Sequence, residues 1–211
     1  MRILNLYACL GGNRYKWGDE HEVTAIELDE DLAAMYKKRF PKDIVIIADA
    51  HKYLLENFQN FDFIWSSPPC PSHCRVRFMN SYHNKIIPQY PDMKLYEEII
   101  FLNKYFKGKY CVENVIPFYT PLIAGKQRGR HIYWTNFALP NELGERTCLI
   151  GSGTNEVNRL CEFHEIDLSN YKGKQRKDKI ARNLVDFAAG ATILNAAMNV
   201  YNNTSTQICL F

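Results

Sequence analysis

The chain has 211 residues, 46% of them hydrophobic and 23% charged, with 26 Lys and Arg against 23 Asp and Glu for a net charge of +3. This is ordinary globular composition for about one domain, and it excludes a disordered chain, a collagen and a coiled coil. The charge balance is too mild to name a nucleic-acid partner by itself, so the placement of the charges carries more information.

In chain order, residues 2–8 (RILNLYA) read as a first strand that runs into a turn at Cys9-Leu10-Gly11-Gly12. The short apolar run reads as a buried strand and not as a signal peptide. Residues 21–28 (HEVTAIEL) read as a second strand, and 29–40 carry Leu32, Ala33, Met35, Tyr36 and Phe40 at helical spacing before Pro41. Residues 44–48 form an unbroken β-branched run, the pattern of a strand buried on both faces. A short helix is predicted over 53–58, and a fourth strand over 61–65 (FDFIW), ending in Ser66-Ser67-Pro68-Pro69-Cys70. A loop rich in Pro, His, Asn and Arg extends to about Pro91, and helical spacing returns over 92–106. Residues 110–112 read as a fifth strand leading into Glu113-Asn114-Val115, and 131–138 as another. The most apolar stretch, 183–201, is interrupted by Asp186, Asn195 and Asn199, poor material for a membrane span. The seven cysteines are scattered and odd in number, which fits reduced thiols and a cytoplasmic location better than a disulfide framework.

Strands alternating with helices predict an α/β fold: a mixed, mostly parallel sheet with helices on both faces. Ligands of such sheets sit beyond the carboxyl ends of the strands. That rim carries Gly11-Gly12, then Glu27 and Asp29, then Asp49, then Pro68-Pro69-Cys70, then Glu113-Asn114. The glycines permit a close backbone approach or simply a turn. An acid ending the second strand suits ribose hydroxyls, and Asp49 suits an adenine amine; both also suit solvated strand ends. Without a GxGxxG motif a dinucleotide is disfavoured, and S-adenosylmethionine fits better.

The run Ser67-Pro68-Pro69-Cys70-Pro71, then Glu113-Asn114-Val115, then Arg128-Gly129-Arg130, each in register with a strand, resembles the DNA cytosine-5 methyltransferases. LYACLGG, AIELDEDLAAMYKKRFP and ADAHKYL resemble that family's first three motifs, and ARNLVDFAAGATIL its last. The resemblance implies a Rossmann-like class I methyltransferase fold and S-adenosylmethionine as cofactor, with S-adenosylhomocysteine as product. It implies cofactor contacts at Tyr7, Ala8, Cys9, Gly11, Gly12, Glu27, Leu28, Asp49, Ala50, Pro69, Asn183 and Val185. It assigns Cys70 as the nucleophile at cytosine C6, Glu113 to N3 and the 4-amino group, and Asn114 to the loop between them. Arg128 and Arg130 are assigned to a phosphate and the base O2. A duplex substrate then requires base flipping.

The chain departs from that pattern at Tyr7 (usually Phe), Cys9 (usually Gly), Pro71 (usually Gln), Lys126 (usually Gln) and Arg182 (usually Gly). The expected organisation is a core over 1–139, a small target-recognition insertion over 140–181, a C-terminal helix over 182–201 and a flexible tail over 202–211. DNA contacts are expected from Ser72, Arg75 and Arg77 after the cysteine and from the basic run Lys172, Lys174, Arg176, Lys177, Lys179 and Arg182. So small an insertion predicts short or relaxed sequence preference. Cys161 and His164 with Cys148 are too few and too loosely spaced for a structural zinc site, so no metal is expected. The tail residues Gln207, Leu210 and Phe211 resemble a bacterial sliding-clamp-binding peptide, which would make a clamp a partner. The rival readings are an N4-cytosine or N6-adenine methyltransferase, for which SPPC lacks the aromatic ring, and a non-catalytic S-adenosylmethionine- or DNA-binding accessory. An RNA or nucleotide substrate stays open.

Overall fold

The computed structural model describes residues 1–82, 87–144 and 154–199. Seven strands make one sheet in the order β3-β2-β1-β4-β5-β7-β6: β1 (Arg2–Leu6), β2 (Glu22–Glu27), β3 (Ile44–Ile47), β4 (Phe63–Ser66), β5 (Lys109–Val115), β6 (Lys126–Arg128) and β7 (His131–Thr135). The first five pair in parallel, and β7 runs antiparallel between β5 and β6. Alternation along the central strands sends side chains to two cores. Leu4, Leu6, Ile26, Ile64 and Val112 pack with Leu95, Ile99 and Leu102 of α4 (Lys94–Tyr105) on one face. Ile3, Val23, Phe63, Trp65 and Cys111 pack with Ile193 and Leu194 of α7 (Phe187–Ala197) on the other. Each fully buried Leu, Ile or Phe contributes about 1.5–3 kcal/mol.

Aspartates set the helix starts on the functional rim. Asp29 caps α1 (Glu30–Arg39) by accepting from the Asp31 and Leu32 amides, and Asp49 caps α2 (Ala50–Asn57) by accepting from Lys52 N. Asp186 caps α7 through Ala188 N and Ala189 N. Such caps are each worth about 1 kcal/mol.

Four expectations need correction. The β-branched run of β3 is not buried on both faces: it is the sheet's edge, with Ile44 and Ile47 59% and 55% exposed, because only β2 pairs with it. The segment after Cys70 is not all loop but holds α3 (Arg75–Tyr82), whose polar sequence hides its period. Glu113-Asn114-Val115 does not follow the fifth strand but lies inside it, since β5 extends to Val115 to pair with β7. Lys126–Arg128 is a strand, β6, joined to β7 by a turn with Gly129 at φ 56°.

The segment expected to be an insertion carries α5 (Thr154–Phe163), and α6 (Lys177–Asn183) straddles its end. Leu168, Tyr171, Ile180 and Ala181 pack with Leu10 and Leu32, so this stretch lies on the turn after β1 and on α1. Among the described residues no helix is long and apolar enough to cross a membrane. Cys148 and the tail residues Gln207, Leu210 and Phe211 lie outside the described residues.

Candidate active site

The chain turns sharply where β1 ends. Tyr7 and Cys9 have φ of 56° and 46°, and Gly11 has 68°. Left-handed backbone at a residue with a Cβ costs about 1–3 kcal/mol and persists only where the surroundings enforce it. Here Glu27 enforces it: its carboxylate accepts from Cys9 N at 2.8 Å and also from Leu28 N and Asp29 N, each at 2.9 Å. A carboxylate has about four acceptor positions, so three amides leave one for a ligand hydroxyl. Burial pushes the Glu27 carboxyl up, against the pull of these amides. Asp49 is held low by Lys52 N. Gly12 packs so closely on the Val185 backbone that a Cβ there would strike Val185 O, with Val185 N only 3.0 Å away.

These residues edge a cavity of about 430 Å³, within the range of about 300–1,000 Å³ usual for small-molecule sites. Tyr7, Cys9, Glu27, Leu28, Asp49 and Ala50 line one end, and Asn183, the last residue of α6, and Val185, in the link to α7, close it. Ala8, Gly11 and Gly12 lie behind this lining. The end suits a ligand with vicinal hydroxyls and an apolar flank.

The other end of the same cavity is lined by Pro69, Cys70, Glu113 and Asn114. β4 and β5 are paired, so the loop after Ser66 and the last residues of β5 emerge side by side. Asn114 ties them: Nδ2 donates to Pro68 O at 3.0 Å, while Oδ1 accepts from Val115 N. Burial, together with Cys74 and Glu113, pushes the Cys70 thiol up to about 11, and Lys179 pulls it slightly back. The resting group is therefore a neutral thiol. Glu113 is 6% exposed, with Oε1 3.3 Å from His131 Nε2.

Arg128 does not join this cavity. Its guanidinium donates to Pro140 O, Leu139 O, Gln127 O and Asn141 Oδ1, on the far side of the hairpin, beside a second recess of about 330 Å³. Arg130, at the hairpin tip, acts on Glu156 of α5. Ser72 is buried, and its Oγ accepts from Asp92 N. Arg75 donates to Pro117 O, and Arg77 is half-buried. Arg176 pairs with Asp178, and Lys177 donates to Ser169 O, whereas Lys172 and Lys174 stay exposed.

Several lining residues escaped the sequence reading: His51, Lys94, Asp92 and His131; Lys179 and Arg182, expected only as phosphate contacts, line the cavity as well. His51 follows the Asp49 cap and was legible as a first-turn residue on the rim. His131 follows Arg130 directly and would have shown on counting alternate residues along β7. The basic run named Lys179 and Arg182 but not their place at the cavity, because α6 reaches it only through tertiary packing.

The strand order, with one antiparallel strand, β7, set between β5 and the edge strand β6 of an otherwise parallel sheet and helices on both faces, makes this a Rossmann-like class I methyltransferase fold. Residues 1–84 match the family described as C-5 cytosine-specific DNA methylase. No curated protein sequence matches the chain. Similar solved structures include an Entamoeba histolytica methyltransferase, EhMeth, with 12% identity over 94% of this chain and 98% of that one, at a TM-score of 0.49. They also include a variant of Spodoptera frugiperda DNMT2, with 23% identity over 54% of this chain and 35% of that one, at a TM-score of 0.39. A putative DNA modification methyltransferase encoded within an Escherichia coli prophage shows 18% identity over 57% and 33%, at a TM-score of 0.38. The chain thus spans about a third of the length of the last two.

Proposed function

We propose that the chain transfers a methyl group from S-adenosylmethionine to C5 of cytosine in DNA, with the base flipped out of the duplex. One observation carries this reading: Cys70 and Glu113 open onto the same cavity as Glu27 and Asp49, so a nucleophile, a base-recognising carboxyl and an adenosine-suited recess share one space. The match of residues 1–84 supports it.

Glu27 would take the ribose hydroxyls with its remaining acceptor position, Asp49 the adenine amine, and Leu28, Pro69 and Val185 the apolar faces. When bound, S-adenosylmethionine supplies an electrophilic methyl group. Cys70 adds to C6 after losing its thiol proton, which leaves C5 nucleophilic enough to accept the methyl. With the thiol pushed up to about 11, loss of that proton belongs to the barrier, and the free protein keeps no standing thiolate. Glu113 hydrogen-bonds N3 and the 4-amino group as charge builds on the ring. Asn114 keeps the Pro68–Cys70 loop at the distance from β5 that lets both groups reach one base. Of the two hairpin arginines, Arg130 is the one retained for the nucleic acid, since Arg128 is committed to the backbone at 139–140.

The test is a digest. Duplex DNA of mixed sequence is incubated with the protein and S-adenosylmethionine, hydrolysed, and its methylated nucleosides are measured by mass spectrometry. The expected product is 5-methyldeoxycytidine, absent with Cys70→Ala. N4-methylcytosine, N6-methyladenine, or a product that survives Cys70→Ala would overturn the assignment.

A further inference from the structure

In the antiparallel pair β5·β7, Val115 stands opposite His131 and Glu113 opposite Tyr133. Residues 113 and 131 are therefore diagonal neighbours on one face of the sheet, close enough for side-chain contact. The contact is made: His131 Nε2 is 3.3 Å from Glu113 Oε1, with the two side chains 16% and 7% exposed. Both line the cavity that holds Cys70. The turn at Gly129 fixes the register of β7 against β6, with Arg128 opposite His131. A carboxyl this enclosed is costly unless hydrogen-bonded, so its partner also decides where it points.

We propose that His131 is a positioning residue of the methyl transfer: it donates from Nε2 to Oε1 of Glu113, holds that carboxyl at the cavity wall, and supplies the proton that Glu113 passes to ring N3 of the base. This rests on the cytosine-5 reading above. Cytosine offers an acceptor at N3 and a donor at its 4-amino group. A bare carboxylate satisfies only the amine, whereas a carboxylate backed by an imidazolium can answer both. In this scheme the pair starts as imidazolium and carboxylate. Cys70, its thiol proton given to solvent, forms the Sγ–C6 bond, and the C5=C6 pair moves to C4=C5. The N3=C4 pair becomes an N3–H bond with a proton from Glu113, which takes one from His131 Nε2, leaving a neutral imidazole. After C5 has been methylated and has lost its proton to solvent, sulfur leaves C6, the C4=C5 pair returns to C5=C6, and the N3 proton goes back through Glu113 to His131. The other titratable or charged groups near the pair are Cys70 from the loop after β4, Cys111 of β5, Tyr133 of β7, Lys126, Arg128 and the adjoining Arg130 of the hairpin, and Lys179 and Arg182 of α6 across the cavity.

The test uses the full chain, S-adenosylmethionine and duplex DNA, with kcat and KM measured from pH 5 to 9 for the native protein, His131→Gln and His131→Ala. Gln keeps an amide donor for Oε1 but does not titrate. Native kcat is expected to rise with pH as Cys70 loses its proton and to level off through the range where His131 loses its own. His131→Gln is expected to lose that levelling limb and about 10-fold in kcat with KM little changed, and His131→Ala about 100-fold, the scale of one proton-transfer group. Thermal melting of His131→Gln is the folding control. The inference alone is overturned if the native protein makes 5-methylcytosine while His131→Gln shows the native kcat and the native pH limb, or if the variants lose melting temperature without losing kcat. A native protein that makes no 5-methylcytosine overturns the underlying reading and the inference with it.

Discussion

Glu98 on α4 is 1% exposed, yet three side chains from three different elements converge on it: Tyr7 Oη at 2.6 Å, Ser66 Oγ at 2.5 Å and His51 Nδ1 at 3.0 Å. His51 Nε2 also faces Glu97 at 3.2 Å. These bonds lock the left-handed Tyr7, the end of β4 and the start of α2 to one carboxylate, and Tyr7 and His51 both line the cavity. The Glu98 hydrogen bond, with both glutamates, raises the His51 pKa above its usual 6.5, against burial and Lys94. A raised folded-state value stabilises the fold fully below about 6.5 and less as pH rises through the folded value. The urea midpoint is expected to drop between pH 6 and pH 9, and His51→Gln to remove part of that drop; an identical drop in the variant would contradict the assignment. At Cys70 the expectation is kinetic. Without ligands, its alkylation by iodoacetamide should quicken about tenfold per pH unit from pH 7 to 10, following the thiolate fraction. A plateau near pH 8 would show a thiol that burial does not hold up.

Among the elements, β1, β2, β4 and the two long helices were readable because hydrophobic runs and 3.6-residue spacing report burial directly. β3 misled because Ile and Val also favour an edge strand, where one side packs and the other meets water. Of the site, Cys70, Glu113 and Asn114 were readable from their strand ends. The direction of Arg128 was not: a hairpin fixes which residues pair, but the guanidinium followed the free carbonyls at 139–140. The seating of α7 gives the element-scale test. Trp17 Nε1 donates to Gly190 O at 3.1 Å, and a Cβ on Gly190 would meet Asn13 Cα at 2.7 Å and its carbonyl closer still. Since backbone cannot yield like a side-chain tip, Gly190→Ala is expected to cost about 1–3 kcal/mol, read as a lowered melting temperature. An unchanged melting curve would mean that α7 rests on Asn13 less tightly than this geometry requires.

For the whole molecule, a net charge of +3 leaves nucleic-acid affinity to local clusters. Two members of the expected basic run are occupied: Arg176 by Asp178 and Lys177 by Ser169 O. On the proposed function, the exposed Lys172 and Lys174 are the members left for phosphates. Each phosphate neutralised contributes about −0.9 to the slope of log K against log salt. Replacing both lysines with Ala is therefore expected to flatten the slope for duplex DNA by about two, without changing which base is methylated. No change in slope would place the phosphate contacts elsewhere.

The bond from Trp17 to Gly190 spans 173 positions, and Gly12 meets Val185 over the same separation. On a ribosome, Cys70 and Glu113 are made well before Asn183 and Val185, which complete the lining of the cavity they share. A nascent chain between these points carries the rim of the sheet without the wall that closes it. Any ligand that needs both sides of the cavity must therefore wait for the segment that joins α6 to α7.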